Sequence, residues 1–372
     1  MSMQGNVLER YSQGAAARQE DLCCPVSYDP ERLKLLPREI IEKDYGCGDP
    51  SAYVREGDIV LDLGSGAGKI CYIAAQLVSE KGRVIGIDMN DDMLALARKY
   101  QPEMAEKIGG DRVRFVKGYI QDMALDLEAV DCSLAEHPVK TSRDLAALKA
   151  FEAEQKRKRP LIADESVTLV VSNCVLNLVD AAEKDALIRE IFRVLKPGGR
   201  VAISDIVADE EVPERLQRDP ELWSGCISGA YQEQAFLRAF LDAGFMGVAI
   251  DKWDEKPWKV VEGIEFRAVT LTATKPEETE CLDYGHAVIY KGPFSEVHDD
   301  DGHVYYRGER MAVCEHTYRF LTEGPFAGQF IGIEPPEGTK PSKFCAPAGT
   351  RRPPAMTKGG AQHSGDGGGC CC

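Results

Sequence analysis

The sequence predicts an α/β protein: a Rossmann-like, largely parallel sheet with helices on both faces, an N-terminal helical cover and a small β-rich C-terminal domain. Three observations predict it. Ile59 to Leu63 is a short apolar run followed by Gly64, Gly66 and Gly68, then by the helix-forming stretch Ile70 to Val78. A strand, a glycine turn and a helix make the first half of a βαβ unit. Val84 to Asp88 repeats the apolar run and ends in an acid. Strand-like and helix-like segments then alternate as far as Thr274.

In chain order, Val7 to Arg18 has helical spacing, and Pro30 to Asp44 reads as a second helix before the turn Tyr45 to Pro50. Core strands are expected at 59–63, 83–88, 112–116, 167–172 and 200–205, with helices at 69–79, 91–100, 182–195 and 233–243. Val248 to Lys252 and Phe266 to Thr274 supply the last two strands. Residues 121–160 interrupt the alternation with an acidic stretch and a charged helix from Ser142 to Arg159, and read as a surface insertion. The expected division is a cover at 1–58, the α/β domain at 59–275, a small β-rich domain at 281–333 and a disordered Pro/Gly/Cys tail at 334–372.

Composition narrows the function. The formal charge of −16 and pI near 5 argue against a nucleic-acid backbone as partner. No apolar run is long enough to span a membrane, and the first residues carry no apolar signal core, so a cytoplasmic protein is expected. Thirteen cysteines without a secretion signal and without a C-x-x-C pair point away from a disulfide framework or a zinc ribbon. Free thiols, thiolate chemistry or both remain.

The glycine loop identifies the cofactor class. The dinucleotide fingerprint G-x-G-x-x-G puts its third glycine five residues after the first. Here it falls four after, and Asp62 precedes the first glycine by two. This Asp-x-Gly-x-Gly-x-Gly form resembles motif I of the Rossmann-like, class I S-adenosylmethionine methyltransferases, whose loop holds the methionine end of the cofactor. A nicotinamide or flavin site, or ordinary tight turns, are the competing readings. On the methyltransferase reading Asp62, Gly64, Ser65, Gly66 and Gly68 form the loop and Asp88 accepts the ribose hydroxyls. Met89 packs on the adenine, Tyr119 and Ile120 cover the base edge, and Asn173 reaches the methionine end.

Four cysteines fall at strand ends and loops near the expected cofactor mouth. Cys71 opens the first core helix, where a helix N-terminus favours the thiolate. Cys174 follows the fourth strand, Cys226 sits in the loop Trp223 to Gly229, and Cys47 lies in the N-terminal turn. Taken singly, each is as well read as a small buried hydrophobe. Together, Asp44-Tyr-Gly-Cys-Gly-Asp-Pro50, the loop Asp62 to Cys71, Ser172-Asn-Cys-Val-Leu-Asn-Leu178 and Trp223-Ser-Gly-Cys-Ile-Ser-Gly-Ala230 resemble the arsenite S-adenosylmethionine methyltransferases, over roughly residues 5 to 320.

That resemblance implies As(III) bound by Cys71, Cys174 and Cys226, with Cys47 as a fourth thiol able to pair with Cys71 during reduction. Soft thiolates match a soft metalloid. Arsenic held only through sulfur carries no proton to remove, so its lone pair can attack a sulfonium methyl without a general base. Trivalent arsenicals are then the substrates, and glutathione or thioredoxin the thiol reductant. The 121–160 stretch is longer than the family pattern, and the chain beyond 335 lies outside it. Cys132, Cys281, Cys314 and Cys345 read as bystanders. The competing functions are methylation of another small molecule, which needs a base, and a non-catalytic thiolate site.

Overall fold

The computed structural model describes residues 3–16, 26, 28–43, 45–277, 280–335, 337–344 and 346–357. The cysteines at 23, 24, 345 and 370–372 lie outside that set. The chain divides into two units, Met1–Pro276 and Glu277–Cys372.

The first unit begins with α1 (Met3–Ala16), α2 (Pro30–Leu33) and α3 (Arg38–Glu42). The single helix expected from Pro30 to Asp44 is therefore two. Pro37 lacks an N–H and steers the preceding residue away from the α region, so it caps α3 instead of continuing α2. Next come β1 (Ile59–Leu63), α4 (Lys69–Leu77), β2 (Arg83–Asp88), α5 (Asp91–Lys99), α6 (Gln101–Ile108) and β3 (Val113–Lys117). Asn90 caps α5 by accepting N–H bonds from Asp92 and Met93, with acids in its first turn and bases in its last, as the helix dipole favours. The insertion forms α7 (Leu127–Glu136) and α8 (Ser142–Lys158). A Thr141–Asp144 capping box starts α8, which buries no residue and so owes its helicity to local terms.

The sheet resumes with β4 (Val167–Asn173), α9 (Lys184–Val194), β5 (Leu195–Ala208), α10 (Glu214–Gln217), α11 (Pro220–Ser224), β6 (Tyr231–Gln232) and α12 (Glu233–Asp242). It ends in β7 (Met246–Trp253), β8 (Lys259–Val261) and β9 (Ile264–Thr274). Strand order is β3-β2-β1-β4-β5-β9-β7. The first five are parallel, and β9 runs antiparallel between β5 and β7, as Phe266 to Thr274 leads one to expect. Order reverses between β1 and β4, and ligands bind at the carboxyl ends of strands at such a switch point. Both faces are apolar: Leu61, Leu63, Val170 and Ile203 pack toward α9 and α12, while Val60, Leu169, Val171 and Ala202 pack toward α4. Strand runs such as Ile-Val-Leu-Asp-Leu lack polar alternation for this reason.

The second unit holds β10 (Leu282–Asp283), β11 (Ala287–Tyr290), β12 (Glu296–His298), β13 (Val304–Tyr306), β14 (Arg310–Ala312), α13 (Glu315–Thr322), β15 (Phe330–Ile333) and β16 (Ser342–Lys343). The expectation of a disordered tail from 334 is corrected as far as residue 357. β16 pairs with β10, Arg351 bridges Met311, and buried Arg352 donates to the His286 carbonyl and to Asp283. Backbone pairing and one buried guanidinium hold a stretch whose composition alone suggests no core. Among the described residues no helix is long and apolar enough to cross a membrane.

Asp58 ties three strands together at their amino ends. It accepts from Arg200 at 2.6 Å, from Thr168 at 2.9 Å and from the Arg55 N–H at 2.7 Å. Removing one partner of a largely buried ion pair leaves the other charge uncompensated. Asp58→Ala should therefore lower unfolding free energy by about 3 kcal/mol, measured by urea titration. A loss below about 1 kcal/mol, the range of an exposed pair, would contradict this.

Candidate active site

The site is built from four loops at the carboxyl ends of the strands and from α1 lying over them. The β1–α4 turn depends on its glycines: Gly64, Gly66 and Gly68 have φ of +63°, +50° and +88°. Side chains rarely adopt such angles. A Cβ on Gly64 would also lie 2.5 Å from Val175, and one on Gly68 2.7 Å from Phe115. Across the turn Asp88 accepts the Gly66 N–H with one carboxylate oxygen and the Asn90 N–H with the other, both at 2.8 Å.

These elements enclose a cavity of about 500 Å³. Gly64, Gly66, Asp88, Met89, Tyr119 and Ile120 line one side, Val7, Leu8 and Tyr11 of α1 the roof, and Asn173, Cys174, Val175 and Trp223 the far end. The size suits a nucleoside-containing ligand. The buried Ser65 hydroxyl, unpartnered among the described residues, adds a polar group in the turn. α1 is fastened at both ends of the cavity. Asn90 donates to the Leu8 carbonyl and to Ser12, each at 3.2 Å, and Arg10 donates to Ser224 at 2.7 Å. A glycine cradle, an acid at the end of β2 and the apolar Met89 and Ile120 form a set that fits S-adenosylmethionine.

The sulfur side is organised by Asn173. Its amide oxygen accepts the N–H groups of Cys47 (2.9 Å) and Gly48 (3.1 Å), and its NH₂ donates to the Gly48 carbonyl (2.9 Å) and to Tyr28 (3.1 Å). Two lone pairs and two protons are thereby used, the full capacity of an amide. Asn173, expected at the methionine end of the cofactor, lines the cavity in the structure, and its amide clasps the Cys47 turn. Gly46 and Gly48 are required by that closeness, since a Cβ on either would meet Asn173 at 2.2 Å or Ser204 at 2.4 Å.

Cys174 and Cys226 both have left-handed backbones, φ +62° and +61°. Such residues need surroundings that over-determine them. Here the Cys226 thiol donates to the Cys174 carbonyl at 3.1 Å, and buried Asn177 donates to the Ile206 and Cys226 carbonyls. Cys47, Cys174 and Cys226 pack in one cluster with Ile206 and Ile227. The Cys47 and Cys174 sulfurs and an Asp205 oxygen lie within 4.8 Å of one another. Tyr11 brings its hydroxyl to 3.8 Å from the Cys226 sulfur, and burial together with the neighbouring thiols pushes its acidity well below that of an ordinary phenol.

Cys71 is placed apart from this trio. It is fully buried in the α4–sheet core, and its thiol donates to Asp62 at 3.2 Å. The sequence leads to the expectation of a thiolate here; the structure sets the Cys71 sulfur against the Asp62 carboxylate, in a different cluster from Cys47, Cys174 and Cys226. Asp62, Ser65 and Gly68 support the loop from beneath and do not line the cavity.

Sequence reasoning missed Asp205 and Lys184. Asp205 is wholly buried on β5, accepts the Leu176 and Ile206 N–H groups, and is pushed up to about 6 by that burial. Buried Lys184 donates to the Gly229 carbonyl, lies 4.1 Å over the Tyr231 ring and is pushed down to about 8 by burial. Together they hold the Cys174 and Cys226 loops. An acid inside the apolar run Val201 to Ala208 was the available signal.

Comparison with known proteins agrees with this geometry. A family model described as a methyltransferase domain matches residues 55–244, just over half of the chain. A second, a domain of unknown function, matches 277–362. The chain is 32% identical over 347 residues to the arsenite methyltransferase of Aquipseudomonas alcaligenes, covering 88% of this chain and 89% of that protein. The chain belongs to the arsenite methyltransferase family. The Mus musculus arsenite methyltransferase is 31% identical over 88% of this chain and 81% of its own length. The crystal structure of an arsenic(III) S-adenosylmethionine methyltransferase from Chlamydomonas reinhardtii matches with TM-score 0.55 and 26% identity, covering 87% of this chain and all of that one. Fold and methyl donor are thus those of the class I S-adenosylmethionine methyltransferases.

In an arsenite methyltransferase built this way, Asp88→Ala should weaken S-adenosylmethionine binding about 10- to 100-fold, the loss of charge-assisted hydrogen bonds worth about 1.5–3 kcal/mol. Isothermal titration calorimetry reads it. An unchanged Kd would remove Asp88 from the ribose site.

Proposed function

We propose that this chain methylates trivalent arsenic, arsenite first and methylarsenite next, with S-adenosylmethionine as donor. The observation that carries the reading is the convergence of Cys47, Cys174 and Cys226 beside a glycine-cradled cavity, with two of the three in left-handed backbone.

The chain's part is to bind and aim. Cys174 and Cys226 anchor the metalloid through two sulfurs. The third comes from Cys47, which Asn173 holds beside Cys174; this differs from the resemblance, which assigns Cys71. Three sulfurs leave the arsenic lone pair at the apex of a pyramid. S-adenosylmethionine supplies the electrophilic methyl group. The lone pair forms the As–C bond as the sulfonium S–C bond breaks, so arsenic passes formally from three to five. Fixing both reactants in line is the principal source of rate. Asp88, Met89 and Ile120 hold the adenosine end, and α1 with Tyr11 shields the sulfurs from water. Two electrons then return arsenic to three as two cysteine thiols close a disulfide, with Cys71 as the reserve thiol. Glutathione or thioredoxin reopens it by thiol–disulfide exchange. Such a cycle suits a reducing cytosol.

Arsenite affinity and turnover separate the roles. Cys174→Ser and Cys226→Ser should each abolish methylation of arsenite and methylarsenite, followed by arsenic speciation with chromatography and mass spectrometry. Full activity in either would remove the two-sulfur anchor. Cys47→Ser should lose arsenite affinity at least tenfold while Cys71→Ser keeps it; the reverse pattern would hand the third sulfur to Cys71. Asn173→Ala should match Cys47→Ser in arsenite affinity with the cofactor Kd within threefold. A cofactor Kd raised tenfold would restore Asn173 to the methionine end.

A further inference from the structure

The second unit holds a pair of thiols that the proposed reaction does not use. Cys281 stands just before β10, and Cys314 caps the amino end of α13. The two elements pack together. Antiparallel pairing of β10 with β16 fixes the first, because the Phe344 N–H donates to the Cys281 carbonyl at 2.7 Å. The cap fixes the second: the Cys314 sulfur accepts the Thr317 N–H at 3.4 Å and lies 3.2 Å from the Thr317 hydroxyl. The two cysteine side chains come close enough to interact electrostatically. One is exposed and the other buried, so the pair has an open end and a sheltered end.

We propose that Cys281 and Cys314 form a second trivalent-arsenic site, a dithiol that takes monosubstituted arsenicals R–As(III). Choosing methylarsenite as its occupant rests on the function proposed above, since that is the product of the first transfer; the dithiol itself does not. The donor count selects this class. Inorganic arsenite takes three sulfurs, whereas an arsenical that already carries one carbon takes two. A zinc site needs three or four donors. Among the described residues no histidine or acid joins these sulfurs as a third ligand.

The chemistry balances without a redox step. Two As–O bonds of methylarsonous acid break and two As–S bonds form. Each hydroxide leaves as water with one thiol proton, and arsenic stays trivalent. Burial and the neighbouring Cys314 raise the Cys281 thiol. Their mutual repulsion as thiolates disappears once arsenic replaces both protons.

The experiment uses the full-length chain carrying Cys174→Ser and Cys226→Ser, which removes the catalytic anchor. It is titrated with methylarsonous acid in a non-thiol reductant and weighed by native mass spectrometry. Adding Cys281→Ser, an exposed change that spares the packing, should lower the bound arsenic by one equivalent; Cys314→Ser should do the same, and Cys132→Ser should change nothing. Peptide mapping of a phenylarsine oxide adduct should link the segments around 281 and 314. Unchanged stoichiometry in Cys281→Ser would overturn the proposal. So would displacement of the arsenical by an equal amount of zinc ion, or a 281–314 disulfide that the reductant leaves closed. Because the readout is binding in a catalytically dead chain, its failure is independent of whether the intact chain methylates arsenite.

Discussion

A single buried amide joins the two halves of the site. Asn173 ends β4 at the point where strand order reverses, and its four hydrogen bonds reach back across more than 120 residues of sequence to the Cys47 turn and Tyr28. A turn of Tyr-Gly-Cys-Gly-Asp-Pro has little apolar surface of its own. It stays in place because both glycines let the backbone press against Asn173 and Ser204, and because leaving that amide unsatisfied in the interior costs free energy. The position of Cys47 is therefore a property of β4 and β5.

The same logic fixes the other two sulfurs. Cys174 and Cys226 sit in a backbone region that costs about 1–3 kcal/mol for most residues. Three buried polar groups offset that cost. Asp205 holds the Leu176 amide, Asn177 spans from β5 to the Cys226 carbonyl, and Lys184 grips the Gly229 carbonyl. Gly229 completes the contact, since a Cβ there would lie 2.0 Å from the Asn177 carbonyl oxygen. Polar groups in an apolar layer are expensive unless paired, and here the pairing orients the sulfurs.

Most of the sheet was readable from the sequence because parallel, doubly covered strands are continuous apolar runs bounded by glycine and charge. Val84 to Asp88 and Phe266 to Thr274 are examples. The cavity was readable for a similar reason, as a glycine turn and an acid at fixed spacing have a strong local signature. What pattern could not supply was side-chain direction. Cys71 lies one turn from the glycine loop whichever way it points, and only the packing of α4 on β1 and β2 shows its sulfur against Asp62 and beneath Gly86. Asn173 and Cys47 are partners only through the fold. The tail beyond 334 misled because Pro, Gly and Ser mark an absence of core but are silent on edge pairing, which is what β16 supplies.

The four buried sulfurs of the first unit therefore fall into two environments, and this bears on how the proposed cycle keeps binding and electron supply from interfering. Cys47, Cys174 and Cys226 are grouped with apolar neighbours, and Cys174 lines the cavity; in the proposed cycle a soft ion replaces their protons. Cys71 is enclosed beneath the cofactor turn, its sulfur against the Asp62 carboxylate. A thiol so held is a poor ligand and a poor nucleophile until its proton leaves. In the proposed cycle that restraint is useful. A reserve thiol that stays protonated while the methyl group is transferred neither competes for arsenic nor attacks the sulfonium, and it becomes an electron donor only when it closes a disulfide with a second cysteine.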